Sequence, residues 1–151
     1  MKEYRIAANG PVVKTLALKA PPERAFAHFT ENMGQWWPLA THSLSRAKAV
    51  NVVFEPRRGG RIYEIDADGR EREWGRVKEC ARPHRLAFSW VLGDAAKATE
   101  VELAFEDDGR GGTRFRLEHR GWLETKSSID RRGEYDRGWT PVLAAFEEGL
   151  K

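Results

Sequence analysis

The sequence predicts an α+β fold: a curved antiparallel sheet of about seven strands wrapped around a long C-terminal helix, with two short helices after the first strand. Three observations predict it. In residues 130–150, Tyr135, Trp139, Val142, Phe146 and Leu150 recur every three or four positions, which on a helix makes one narrow apolar stripe, widened by Leu143. In residues 49–120, turn signals cut the chain into short segments that alternate apolar and polar residues, the habit of an antiparallel sheet with one wet and one covered face. The joins between these segments are short, so the strands should meander. The aromatic stripe then presses on the broad apolar face that such a sheet supplies.

Each element has its own signal. Residues 1–10 are charged and read as a lead-in, and residues 12–19 alternate as a first strand. Pro21 ends that strand; Pro22 suits the first helical position, and Glu23 favours the positive end of the helix dipole. Ala25, Phe26 and Phe29 give this helix its apolar side, and a second short helix is expected from Met33 until Pro38 stops it. Trp36 and Trp37 are neighbours and cannot share one face of a helix or strand, so one should pack inward and the other should sit partly exposed. They are either packing anchors or a ligand clamp.

Residues 39–48 are polar and loop-like, and 49–55 form a strand closed by Pro56. Residues 61–66 and 70–80 pair across the turn signal Ala67, Asp68, Gly69. Arg82, Pro83 and His84 make another turn before a strand at 85–91, with Leu86, Phe88 and Trp90 on one face. A loop at 93–98 precedes two clean strands, 99–106 with Val101, Leu103 and Phe105 covered, and 113–120 with Phe115, Leu117 and His119 covered. Asp130 is the expected cap of the last helix, and Pro141 should either kink it or follow a short first turn.

A chain of 151 residues is expected to form a single domain spanning 1–151. The net charge of +3 is modest and both signs alternate along the chain, so solvated faces account for the charges and no nucleic-acid partner is expected. Cys80 is the sole cysteine, which excludes an intrachain disulfide. No stretch approaches the ~20 apolar residues of a membrane span, and the N-terminus lacks the apolar run of a signal peptide. A cytoplasmic location is the default expectation, as monomer or homodimer.

Several local signatures resemble the START-like (SRPBCC, helix-grip) superfamily, in its AHSA-type branch, named after the activator of the ninety-kilodalton heat-shock-protein ATPase. They are Pro22, Glu23, Arg24, Ala25 and Phe26; Trp36, Trp37 and Pro38; Gly59, Gly60 and Arg61; and Trp74, Gly75, Arg76 and Val77. Pro83 to Leu86 with Phe88 and Trp90 continue the series. It ends with Gly112, Thr113 and Arg114, then His119 to Trp122, then Gly138, Trp139, Val142 and Leu143. The resemblance covers roughly residues 12–150. It implies a helix-grip fold and a superfamily that includes lipid and hormone carriers, polyketide cyclases and co-chaperones. It brings no universal catalytic residue, and fold alone does not assign chemistry.

The residues themselves suggest a pocket between the sheet and the last helix, taking a small hydrophobic or aromatic molecule. Phe88, Trp90, Leu103, Phe115, Leu117 and His119 would line its sheet side, and Trp139, Val142 and Phe146 its helix side, with Phe26, Trp37, Ile62 and Glu64 completing the wall. Two registers are open for the strand at 61–66: one places Ile62 and Glu64 inside, the other Tyr63 and Ile65. Trp74 is ambiguous in the same way. His119 is either a core histidine satisfied by a neighbour or a ligand contact.

A cyclase- or hydrolase-type enzyme on the same scaffold would use His119 and Glu64 as an acid–base pair. A co-chaperone-like or stress-response module with a protein partner would show an exposed apolar patch around Trp36, Trp37 and Trp122. No cofactor is expected. The histidines His28, His42, His84 and His119 lack the spacing of a metal motif. The paired glycines 59–60 and 111–112 lie at turns with no helix behind them, so they are hairpin glycines and no phosphate cradle.

Overall fold

A computed structural model describes residues 8–91 and 98–151. Most of the lead-in and of the loop expected at 93–98 lie outside the described residues. The elements follow the expected order: β1 (Val12–Leu18), α1 (Pro22–Glu31), α2 (Met33–Trp36), a 3-10 turn (Arg46–Lys48), β2 (Ala49–Phe54), β3 (Arg61–Asp66), β4 (Glu71–Ala81), β5 (Arg85–Trp90), β6 (Thr99–Asp107), β7 (Thr113–Arg120) and α3 (Lys126–Glu148). The seven strands form one sheet in the order β1-β7-β6-β5-β4-β3-β2, antiparallel at every join. The predicted α+β class, with the sheet curled about the C-terminal helix, is the observed one.

The residue pairing slips in one half of the sheet. Irregularities interrupt the ladders between β2 and β3, β3 and β4, and β4 and β5, and such bulges sharpen local twist and re-aim side chains. The one in β4 resolves both open registers. Ile62 pairs with Gly75 while Tyr63 pairs with Glu73, so Trp74 is the extra residue. Its side chain turns inward beside Gly75 and Val77, and it is fully buried, as are Ile62 and Glu64. A Cβ on Gly75 would run into the backbone carbonyl of Ser89 on β5, so a glycine is the residue that lets these strands approach.

The pair Trp36 and Trp37 departs from expectation, since each is only 7% exposed. Trp36 ends α2, whereas Trp37 already has extended backbone (φ −66°, ψ 131°). The break between helical and extended geometry turns both rings to the same side, which neither regular element would allow.

The start of α3 also differs. Its cap is Thr125, whose side-chain oxygen accepts from the Ser128 amide at 3.3 Å, while the Ser128 hydroxyl oxygen accepts from the Leu123 amide at 2.7 Å. This polar exchange begins the helix before the apolar stripe does. Asp130 lies inside the first turns, paired with Lys126 at 2.7 Å. The helix runs through Pro141, which sits on the exposed side, so the carbonyl that loses its amide donor can turn to water. Trp139, Val142, Leu143, Phe146 and Leu150 are buried, as the stripe requires.

The core beneath α3 has two parts. In one, phenyl rings pack edge and face: Phe29 meets Phe54, Phe105, Phe115 and Phe146 with centroids 5.2–6.4 Å apart. Each buried phenylalanine contributes about 1.5–3 kcal/mol. In the other, Trp37 meets Trp74, Trp90 and Trp139 at 5.0–6.0 Å. Gly75→Ala should cost about 1–3 kcal/mol by forcing β4 and β5 apart, read as a lowered midpoint in chemical denaturation; an unchanged midpoint would contradict the close approach.

Candidate functional site

A cavity of about 460 Å³ opens beside the tryptophan half of the core. Its floor is apolar: Trp37, Trp90, Trp139 and Val142. Its polar groups come from the connector at residues 37–46 and from the first half of α3, notably His42, Arg46, Arg131, Glu134 and Tyr135. Gly138, Trp139 and Val142 share the cavity wall with Tyr135 because they stand three, four and seven positions from it on one helix.

Behind the floor, His119 is fully buried and bonded on both ring nitrogens. The Trp139 indole N–H donates to His119 Nδ1 at 3.0 Å. An indole can only donate, so Nδ1 holds a lone pair and the ring proton is on Nε2. That proton goes to Thr99 Oγ1 at 2.6 Å, and the Thr99 hydroxyl points on to the Trp90 carbonyl at 3.4 Å. Adding a second ring proton would set an N–H against the indole N–H. Burial, with a smaller push from the Arg131 guanidinium, lowers the His119 pKa from 6.5 to about 3. This histidine is a neutral positioning group for Trp139.

On the other flank, Glu64 accepts three hydrogen bonds: from Trp74 Nε1 at 2.7 Å, the Leu44 amide at 2.6 Å and the Ser45 amide at 2.9 Å. Burial pushes its carboxyl up, but these donors together outweigh burial and hold it below its ordinary value. The ionised carboxylate therefore pins the connector that forms one cavity wall. Tyr135 completes the rim. Its oxygen accepts from Trp90 Nε1 at 3.2 Å, and burial, foremost, pushes its phenol up to about 12, so it stays protonated.

Of the pocket residues expected from the sequence, Trp37, Trp90, Trp139 and Val142 line this cavity. Phe26, Phe88, Phe115 and Phe146 lie in the packed core with Ile62, Leu103 and Leu117. His119 and Glu64 stand one layer behind the wall. They share no hydrogen bond, and each is occupied by partners of its own. The connector, Arg131 and Tyr135 were not singled out from the sequence as pocket residues. Tyr135 belonged to the stripe, but the connector has no periodicity to reveal it.

The apolar patch expected around Trp36, Trp37 and Trp122 is absent, because all three are buried. Trp122 is drawn in by its own N–H, which donates to the His119 carbonyl at 3.0 Å. Among the described residues no helix is long and apolar enough to cross a membrane, and no group of three His, Cys, Asp or Glu is placed to hold a metal.

A helix gripped by a curled seven-stranded antiparallel sheet, with a cavity at one end of the grip, defines a START-like protein. Residues 19–151 match the family described as Activator of Hsp90 ATPase homolog 1-like protein, and the chain belongs to that family. No protein of curated function matches it. Among solved structures, CalC from Micromonospora echinospora, described as a self-sacrificing resistance protein, is 27% identical with a TM-score of 0.73, over 95% of each chain. Txn09, described as an anthrahydroquino-γ-pyrone synthase, is 32% identical with a TM-score of 0.61, over 91% of this chain and 95% of its own. A Mesorhizobium loti protein, 19% identical with a TM-score of 0.68 over 91% and 94% of the two chains, shares the fold.

Two pH effects follow. Below pH 6.5 the unfolded chain protonates His119 while the folded chain does not, so stability should fall as pH drops from 6.5 toward 3. His119→Gln, which keeps an acceptor and a donor without titrating, should flatten that slope in urea melts taken across this range. Glu64 contributes stability above its unfolded value of 4.5 that is lost as pH falls through its lower folded value. Glu64→Gln should cost about 3 kcal/mol at pH 7, and the gap from wild type should shrink below pH 4.5. A gap independent of pH would contradict an ionised Glu64.

Proposed function

We propose that this chain is a binding module for a small, flat aromatic molecule, seated in the cavity between the residue 37–46 connector and α3. The observation that carries this reading is the convergence of three indoles, Trp37, Trp90 and Trp139, on one opening of about 460 Å³. Ligand sites have this volume range and this mixture of apolar wall with few polar groups. Indole faces bind planar rings by stacking and burial, at about 0.5–1.5 kcal/mol per aromatic pair beyond area alone. The name of Txn09, an anthrahydroquino-γ-pyrone synthase 32% identical to this chain, supports a polycyclic aromatic ligand class.

Binding should quench tryptophan emission, because rings at the cavity surface change environment on occupation. Native mass spectrometry of the purified chain would identify a retained molecule. Gly138 offers a variant that separates site from fold. A Cβ there would meet only the His42 ring, at 3.9 Å. Gly138→Leu should fill the opening and weaken binding more than tenfold. It should leave the melting temperature unchanged or raised, since leucine favours a helix over glycine by about 0.8 kcal/mol. Binding undiminished in this variant would place the ligand elsewhere.

A further inference from the structure

The connector is held in place by unfavourable means, which points to what it presents. Arg46 is the one non-glycine among the described residues with positive φ, 48°, a conformation that L residues avoid. The two preceding amides, of Leu44 and Ser45, are fastened to the buried Glu64 carboxylate, and the Ser45 side chain also helps to hold the pKa of that carboxylate down. A strained residue that follows two amides fastened to a buried charge persists only when the surroundings over-determine it, and such strain gathers at ligand clamps. Here the segment carries Arg46 to the cavity. Its guanidinium makes no hydrogen bond or ion pair among the described residues.

The facing wall has matching chemistry. Arg131 and Tyr135, one helical turn apart, border the same opening. The charge of Arg131 acts to lower the pKa of His119 and of Tyr135, while Glu134 acts on Tyr135 in the opposite sense. Tyr135 accepts from Trp90, so its own O–H remains to be given. Two guanidiniums and a phenol O–H are hydrogen-bond donors, set around an indole floor. Among the described residues this rim carries one carboxylate, Glu134, which is exposed.

We infer that the ligand is an aromatic acid, its rings on the indoles and its anionic group held at the rim by Arg46 with Arg131 and Tyr135. The inference rests on the binding reading above and adds the charge of the ligand to it. Arginine suits such a group because its planar fork meets a carboxylate through two parallel N–H bonds.

The test uses the whole chain and two probes of one shape, anthraquinone-2-carboxylate and the neutral anthraquinone-2-carboxamide, titrated by calorimetry at low and high salt. The acid should bind about tenfold more tightly, the worth of one charge-assisted hydrogen bond at a partly exposed site. That preference should shrink as salt rises. Arg46→Asn removes the charge while suiting the left-handed backbone, so it should fold and lose most of the preference for the acid. Arg46→Lys should keep part of the preference.

Equal binding of both probes by the wild type, or a preference undiminished in Arg46→Asn, would overturn the inference while leaving an aromatic site intact. Acid binding that survives Gly138→Leu would also overturn it, by placing the anion outside the cavity. Failure of both probes to bind would overturn the underlying binding reading as well.

Discussion

The geometry of the site depends on one buried carboxylate. Glu64 has no solvent, yet its oxygens receive an indole N–H and two backbone amides. Removing a charge from water is costly, and it is tolerated where donors replace the lost hydration. The donors here belong to β4 and to the residue 37–46 connector. One charge thus ties the sheet to a segment with little regular structure, and the wall of the cavity stands where that tie puts it.

Tryptophan, rather than a smaller apolar residue, explains why an opening survives in an otherwise filled interior. Each of the six indole N–H groups has an acceptor: carbonyls of His28, His42 and His119, the Glu64 carboxylate, the Tyr135 oxygen and His119 Nδ1. A phenyl ring can slide until it fills a gap, as those around Phe29 do. An indole pinned by its nitrogen cannot, because closing the void would leave a buried donor unpaired, at about 1–3 kcal/mol. The phenylalanine half of the core is therefore packed, and the tryptophan half keeps a space.

Much of the fold was legible because periodicity records burial. The α3 stripe and the alternation in β6 and β7 emerged with nearly the observed boundaries. Legibility failed where position is set by contacts distant in sequence. Glu64 and Trp74 had undecided faces because the deciding bulge is a property of two strands, and no single strand encodes it. Trp36 and Trp37 both turn inward because the chain changes from helix to extended backbone between them. The Thr125 cap lies before the stripe, where apolar spacing is silent. The connector was visible only as a polar loop, since its place depends on a carboxylate twenty residues away.

The sheet order has a consequence for how the protein is made. β1 pairs with β7, the last strand of the sheet, with Val12 opposite His119. Every other strand finds a neighbour adjacent in sequence, whereas β1 leaves the ribosome first and must wait until roughly 100 further residues have been synthesised. At ~5–20 residues per second that interval is on the order of 5–20 seconds. During it the backbone of β1 lacks its sheet partner, an open edge that a holdase chaperone is suited to cover.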